Sequence, residues 1–251
     1  MKKQNGLLAA TLLGFTVFSA QAQFGAPGGA GQAAGPSLSG PIAKLFGDNT
    51  AFTASMEMQT KEGKSAETVT MPGKLSFLEG KVRFEMDMSQ VKGAKMTATM
   101  GEQLKSLGMS ELIAISRPDK KTSYIVYPGL KSYAEQPMGL QEAAVAQAKY
   151  KVETTELGKE TVTGLACIKN KVVLTGDDGN KHEFTVCNAG DLKKFPVKID
   201  MIQGGQAATM TFTEVKFDKP EAGVFDPPQD FTRYESVQAM MMKEMMKMMG
   251  K

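Results

Sequence analysis

Apolar side chains recur at every second position through most of the chain. Phe52, Ala54, Met56 and Met58 alternate with polar residues, and the same spacing returns in later segments. A period of two buries one face of a β-strand and leaves the other face in water. Turn sequences such as Glu79-Gly80 separate these segments, and few stretches have helical periodicity. The pattern therefore predicts an antiparallel meander of strands rather than βαβ units.

A curved sheet of many strands either closes on itself or leaves a concave apolar face that another segment must cover. We expect this face to be lined by ten residues: Phe52, Met56, Phe77, Phe84, Met86, Phe195, Val197, Ile199, Met210 and Phe212. Two hypotheses follow from the alternation. The face either binds an apolar ligand or forms a closed core. A change of phase in the last strand predicts a β-bulge near Thr213.

The N-terminus has the layout of a secretory signal peptide. Two lysines precede an apolar stretch over 6–18, and a small-x-small sequence ends at Ala22. We therefore predict a signal peptide over 1–22, with cleavage near Ala22, and a periplasmic or secreted mature protein. Residues 23–41 are rich in Gly, Ala and Pro, which is typical of a flexible linker. No later segment has the 18 apolar residues of a transmembrane helix.

Two cysteines, Cys167 and Cys187, flank a strong turn sequence at 176–180. A hairpin folded about Asp177 places the two cysteines directly opposite each other, within disulfide range. In an oxidising compartment this geometry predicts a structural disulfide. Two buried free thiols are the alternative.

The C-terminus is unusually rich in methionine. Thr232 and Glu235 form a capping box, which predicts an amphipathic helix that begins near Arg233 within the segment 232–251. Seven of the 19 methionines fall between 240 and 249. Lysines and Glu244 are expected on the polar side. The lid or partner face is expected to consist of Met241, Met242, Met245, Met246, Met248 and Met249.

Three hypotheses explain these methionines. They fill the core side of a lid helix, because methionine adapts to irregular gaps. Alternatively, they offer an adaptable surface to a lipid, an acyl chain or an envelope protein partner. The third hypothesis is a periplasmic Cu(I) site, since thioethers are soft ligands.

The sequence contains few residues that could form a catalytic site. The single histidine, His182, has no G-x-S-x-G nucleophile to serve, and no metal-ligating or catalytic constellation can be assembled. No cofactor is expected. A net charge of +3 does not favour nucleic acid as a partner. We therefore predict a protein that is not an enzyme.

Several phrases resemble a periplasmic family of unknown function whose members look like relatives of the lipoprotein carriers LolA and LolB. They are ISRPDKKTSY (115–124), YPGLKSY (127–133), ELGKETVTG (156–164) and DLKKFP (191–196). The resemblance covers 42–231. It implies a mainly β (α+β) fold, in which a strongly curved antiparallel sheet, or incomplete β-barrel, carries a few helices over its concave mouth. In the carriers that cavity holds acyl chains, so lipid or lipoprotein acyl chains become candidate partners.

Overall fold

The computed structural model describes residues 40–61, 68–93, 97–139, 148–203, 206–248 and 250. The predicted signal peptide at 1–22 lies outside these residues, as does nearly all of the linker at 23–41.

Strands dominate the described residues, with three short α-helices. The helices are α1 (Pro41–Leu45), α2 (Ala98–Ser106) and α3 (Val237–Met248). The strands are β1 (Ala51–Lys61), β2 (Thr68–Leu78), β3 (Lys81–Asp87), β4 (Glu111–Arg117), β5 (Thr122–Tyr127), β6 (Ser132–Pro137), β7 (Tyr150–Val162), β8 (Leu165–Gly176), β9 (Lys181–Ala189), β10 (Phe195–Gln203), β11 (Gln206–Lys216) and β12 (Thr232–Tyr234).

All twelve strands belong to one curved sheet. Their order is β12-β6-β5-β4-β3-β2-β1-β11-β10-β9-β8-β7, and every pair is antiparallel except β12 with β6. Strands β12 and β7 are the two edges, so the sheet is not closed into a barrel. The predicted fold class, a mainly antiparallel curved sheet with a few helices, is confirmed.

Local sequence explains two irregularities of the sheet. Glu79 and Gly80 both have positive φ, of 51° and 87°, and they join β2 to β3 in a two-residue hairpin. This is the backbone that matches the twist of paired strands, and glycine adopts it without strain. In β11, Glu214 has φ 51° at the point where pairing with β1 shifts register. The bulge predicted near Thr213 is confirmed within one residue.

The predicted start of the C-terminal helix is wrong. Thr232–Tyr234 forms strand β12, which pairs in parallel with β6, and the helix begins only at Val237. Ser236 caps it, because its Oγ accepts a hydrogen bond of 3.1 Å from the backbone N–H of Ala239. The capping-box sequence is real, but backbone pairing with β6 satisfies the same peptide groups and overrides it.

The largest hydrophobic cluster lies on one face of the sheet. Cross-strand partners share a face, and Phe52 pairs with Phe77 and Met56 with Phe212. Following the register from Phe84 leads across Ala114 to Ile125 on the same face. We call this the concave face.

A smaller cluster lies on the opposite, convex face. Leu78 follows Phe77 directly, so the two side chains point to opposite faces. Leu78 packs with Ile115, Tyr124, Val126 and Phe225. Within the described residues, no helix is both long and apolar enough to span a membrane.

Candidate functional site

The strand register brings all ten predicted face residues together. Each is buried, with at most 9% of its surface exposed, and all ten belong to the same hydrophobic cluster. Six methionines belong to this cluster, three of them among the ten: Met56, Met58, Met71, Met86, Met201 and Met210. Methionine has a flexible, polarisable side chain, so this face is lined by residues that can repack around different shapes.

Phe46, the residue that directly follows α1, covers the centre of the concave face. Phe46, only 1% exposed, has its ring centroid 4.8 Å from that of Phe52 and 5.4 Å from that of Phe77. The rings of Phe195 and Phe212 lie 5.5 and 5.8 Å away. Such distances are those of favourable aromatic pairs. Phe46 is absent from the predicted face, because a lone aromatic after a five-residue helix carries no periodic signal.

Glycines flank this cover. Gly40 and Gly47 have φ of 68° and 56°, in the left-handed region that glycine adopts without strain. Between them, α1 buries Ile42 against the cluster. A helix of five residues is not stable by itself in water, so α1 depends on its contacts with the sheet.

Helix α3 covers one end of the same face. Val237 and Met240 are buried against Ile125, Tyr127 and Ala134 of β5 and β6. Ile125 and Ala134 are cross-strand partners. The two covered regions are continuous, since the half-buried residue Leu112 contacts both clusters. Burial raises the pKa of Tyr127 to about 12, so this phenol stays neutral.

A buried carboxylate anchors α3 to the sheet. Ser132 Oγ and Tyr234 Oη donate hydrogen bonds of 2.9 and 2.7 Å to Glu244 Oε1, and Lys247 Nζ donates one of 2.8 Å. Burial acts to raise the pKa of Glu244, but these hydrogen bonds outweigh it and lower the pKa. The expectation that Glu244 lies on the polar, outer side of the helix is therefore wrong. Glu244 lies seven residues after Val237, and this spacing places both residues on the same face of a helix.

Of the six methionines predicted for the lid or partner face, the four whose side chains are described differ in exposure. Met241 is half-buried against the sheet, whereas Met242, Met245 and Met246 are 54%, 43% and 42% exposed. Positions 237, 240, 241 and 244 form the sheet side of the helix, so the exposed methionines lie elsewhere on its circumference. The side chain of Met248 and the whole of Met249 lie outside the described part of the chain.

The predicted disulfide is contradicted. Cys167 pairs with Ala189 and Cys187 with Lys169, and both cysteines are free and buried. The hairpin is centred on Asp178 rather than Asp177, because Asp178 Oδ1 accepts a hydrogen bond of 2.9 Å from the Asn180 N–H. A one-residue change of centre moves each cross-strand partner by two positions. Burial, followed by the neighbouring Cys167, raises the pKa of Cys187.

Arg117 is buried on the convex face of the sheet. Arg117 donates hydrogen bonds of 2.9 and 2.8 Å to the carboxylate of Asp119, and one of 2.6 Å to Asp226. Lys120 also contacts Asp226, at 2.7 Å. Hydrogen bonding from Arg117 lowers the pKa of Asp119 to about 2. We refer to these residues as the Arg117 clamp, which ties the segment after β11 to the sheet.

An open groove of about 570 Å³ lies near β7 and β8. It is lined by Lys159, Glu160, Thr161, Ala166, Cys167, Ile168, Gly190 and Asp191. None of the ten face residues contributes to it. Its lining mixes charged and apolar side chains.

Metal chemistry based on hard or borderline ligands has no site among the described residues. Nowhere in them do three or more His, Cys, Asp or Glu side chains gather closely enough to hold an ion. The imidazole of His182 lies edge-on to Tyr150, with ring centroids 6.0 Å apart. The sheet face covered by α1 and α3 is therefore the candidate site.

Comparison with known proteins finds similarity only among solved structures. No protein-family model and no curated protein matches this chain. A LolA superfamily protein from Nitrosomonas europaea has a TM-score of 0.38 at 10% identity, covering 73% of this chain and 93% of its own. LprF from Mycobacterium bovis has a TM-score of 0.38 at 12% identity, covering 73% and 91%.

A third similar structure is a putative outer membrane lipoprotein-sorting protein domain from Vibrio parahaemolyticus. Its TM-score is 0.32 at 12% identity, with coverage of 73% of this chain and 92% of that domain. All three likenesses are distant. The chain is thus similar, at low identity, to LolA superfamily and lipoprotein-sorting structures.

Proposed function

We propose that this chain is an exported, non-enzymatic binding protein that holds a lipid, an acyl chain or another apolar ligand against its concave face. The observation that carries the proposal is the cover of that face. A sheet surface rich in phenylalanine and methionine is closed by short helices rather than by a second sheet. Short covers can be displaced without breaking the strand pairing beneath them.

Helix α1 is the proposed entrance. It has five residues and lies between two glycines with positive φ. The residue that follows it, Phe46, lies at the centre of the cluster. Displacing Phe46 leaves a space bounded by the rings of Phe52, Phe77, Phe195 and Phe212. An acyl chain in that space replaces aromatic contacts with methylene contacts, which conserves most of the apolar burial.

The absence of catalysis is part of the proposal, and the two thiols support it. A nucleophilic cysteine needs an exposed site and a lowered pKa. Cys167 and Cys187 are both buried, and the pKa of Cys187 is raised. We also propose export to the periplasm or the medium, on the strength of the predicted signal peptide at 1–22.

Ligand binding is tested with delipidated mature protein and a fluorescent long-chain fatty-acid probe. We expect saturable binding by the wild type, and competition between the probe and unlabelled fatty acid. Phe46→Ala enlarges the site and should change the affinity. Phe225→Ala removes an equally buried ring from the convex cluster, so it should lower stability while leaving the affinity unchanged. Wild-type protein that shows no saturable binding would refute the proposal.

Native mass spectrometry of protein purified from its own host adds an independent measurement. A lipid or acyl adduct that is released on denaturation supports the carrier-like role and identifies the ligand class. A bare mass in every preparation, together with no probe binding, favours an envelope protein-interaction module instead.

A further inference from the structure

Only one side of helix α3 contacts the sheet. Val237, Met240, Met241 and Glu244 contact the sheet from the i, i+3, i+4 and i+7 positions, and Lys247 adds a hydrogen bond to Tyr234 of β12. Packing against the sheet therefore explains only two of the methionines whose side chains are described in this helix. Met242, Met245 and Met246 remain, each more than 40% exposed.

These three residues are placed to bring their sulfur atoms together. They occupy positions i, i+3 and i+4, which are neighbours on a helix surface, with Cβ atoms about 5–6 Å apart. A methionine side chain has three rotatable bonds beyond Cα, so its Sδ atom can reach a common point above such neighbours. Their exposure leaves that point accessible from solvent.

One of the two lysines of this helix is held away from the three methionines. Glu244 is buried and draws the ammonium of Lys247 to itself at 2.8 Å, while the Tyr234 Oη accepts from the same ammonium at 3.3 Å. Lys247 is thereby held toward the sheet side of the helix. Lys243 is the other cation of this helix, and it is exposed.

We propose that Met242, Met245 and Met246 form a Cu(I) site. Three thioethers are a soft donor set, which selects Cu(I) over the harder divalent ions. The proposal does not depend on ligand binding at the concave face. It distinguishes these methionines from a merely apolar stripe, for which leucine would serve equally well.

Competition for Cu(I) tests the site directly. The full-length mature protein is titrated anaerobically, with ascorbate as reductant, against the chromophoric Cu(I) chelator bicinchoninate. We expect the wild type to withdraw Cu(I) from the chelator. The triple variant Met242→Leu, Met245→Leu, Met246→Leu should lose at least about tenfold in affinity, equivalent to about 1.4 kcal/mol. Leucine keeps the helix propensity and the apolar character, so the folded helix should be preserved.

A matched triple variant controls for the substitution itself. Met88→Leu, Met100→Leu and Met138→Leu change three methionines outside α3, so Cu(I) affinity should stay at the wild-type value. X-ray absorption of the wild-type complex should show copper bound to sulfur. A wild type that does not compete with the chelator, a helix variant that keeps full affinity, or a copper shell of nitrogen and oxygen would each overturn the proposal.

Discussion

Replacing Phe46 with alanine tests whether α1 closes the concave face as the structure shows. The ring is 1% exposed and lies 4.8–5.8 Å from four other phenylalanine rings. Truncating a buried phenylalanine costs about 3–5 kcal/mol through lost burial and the cavity left behind. The surrounding rings belong to paired strands, which limits how far the cavity can collapse. We therefore expect a loss near the upper end of that range.

Thermal and urea unfolding measure this loss. For a domain of this size, the melting temperature should fall by roughly 6–20 °C. Phe46→Leu keeps most of the volume and should cost less than about 1.5 kcal/mol. A loss below about 1 kcal/mol for Phe46→Ala would refute the packing of α1 on the sheet, because an exposed ring costs little to remove.

The same variant connects stability to the proposed ligand. An apolar ligand that enters the space of the missing ring binds the folded state only, and at a hundredfold excess over its Kd it adds about 2.7 kcal/mol. Added long-chain fatty acid should therefore restore part of the stability lost in Phe46→Ala. Equal and negligible stabilisation of wild type and variant would count against the concave face as the binding site.

Three further outcomes follow from the carboxylates of Glu244 and Asp119 and from the two thiols. Glu244→Leu leaves two hydroxyl donors without their acceptor, so urea unfolding should show a loss of about 1–3 kcal/mol; unchanged stability would contradict the anchor. The folded-state pKa of Asp119 is lowered to about 2, so its pairing with Arg117 stabilises the protein above the ordinary value of 3.8. This stability should fade as pH falls from 3.8 toward 2, but not in Asp119→Asn. Cys167 and Cys187 should react with a thiol reagent only after denaturation; a mass lacking both thiol hydrogens would contradict this.

Two covers of different character lie over one face. The Phe46 contact is wholly apolar, whereas α3 is held by apolar contacts together with the hydrogen bonds of Glu244. Breaking the contact of α3 exposes the carboxylate of Glu244 and its hydrogen-bond partners, as well as apolar surface. We therefore expect α1 to open before α3, which places ligand entry at the Phe46 end.

Alternation and turn chemistry predicted most of the sheet. The period of two predicted ten residues that lie in one buried cluster of the structure, because side-chain direction in a strand depends only on parity. The hairpin at Glu79-Gly80 and the bulge beside Thr213 were likewise predictable, since both are local backbone events. These features needed no knowledge of distant residues.

The errors arose where a distant segment decided between local options. The centre of the β8–β9 hairpin was misjudged by one residue, which was enough to separate Cys167 from Cys187 in the ladder. Thr232 lies in a sequence that favours a helix cap, yet it pairs with β6 as part of a strand. Register and pairing depend on partners that a local pattern does not contain.

The sequence by itself determined the strands, their buried faces and the methionine content of the last helix. Only the tertiary structure decided which side of that helix meets the sheet. Glu244 is turned inward because Ser132 and Tyr234 supply its hydrogen bonds, and Met242, Met245 and Met246 are turned outward as a consequence. Periodicity fixes which residues share a helical face, but the partners of a buried charge fix which face is buried.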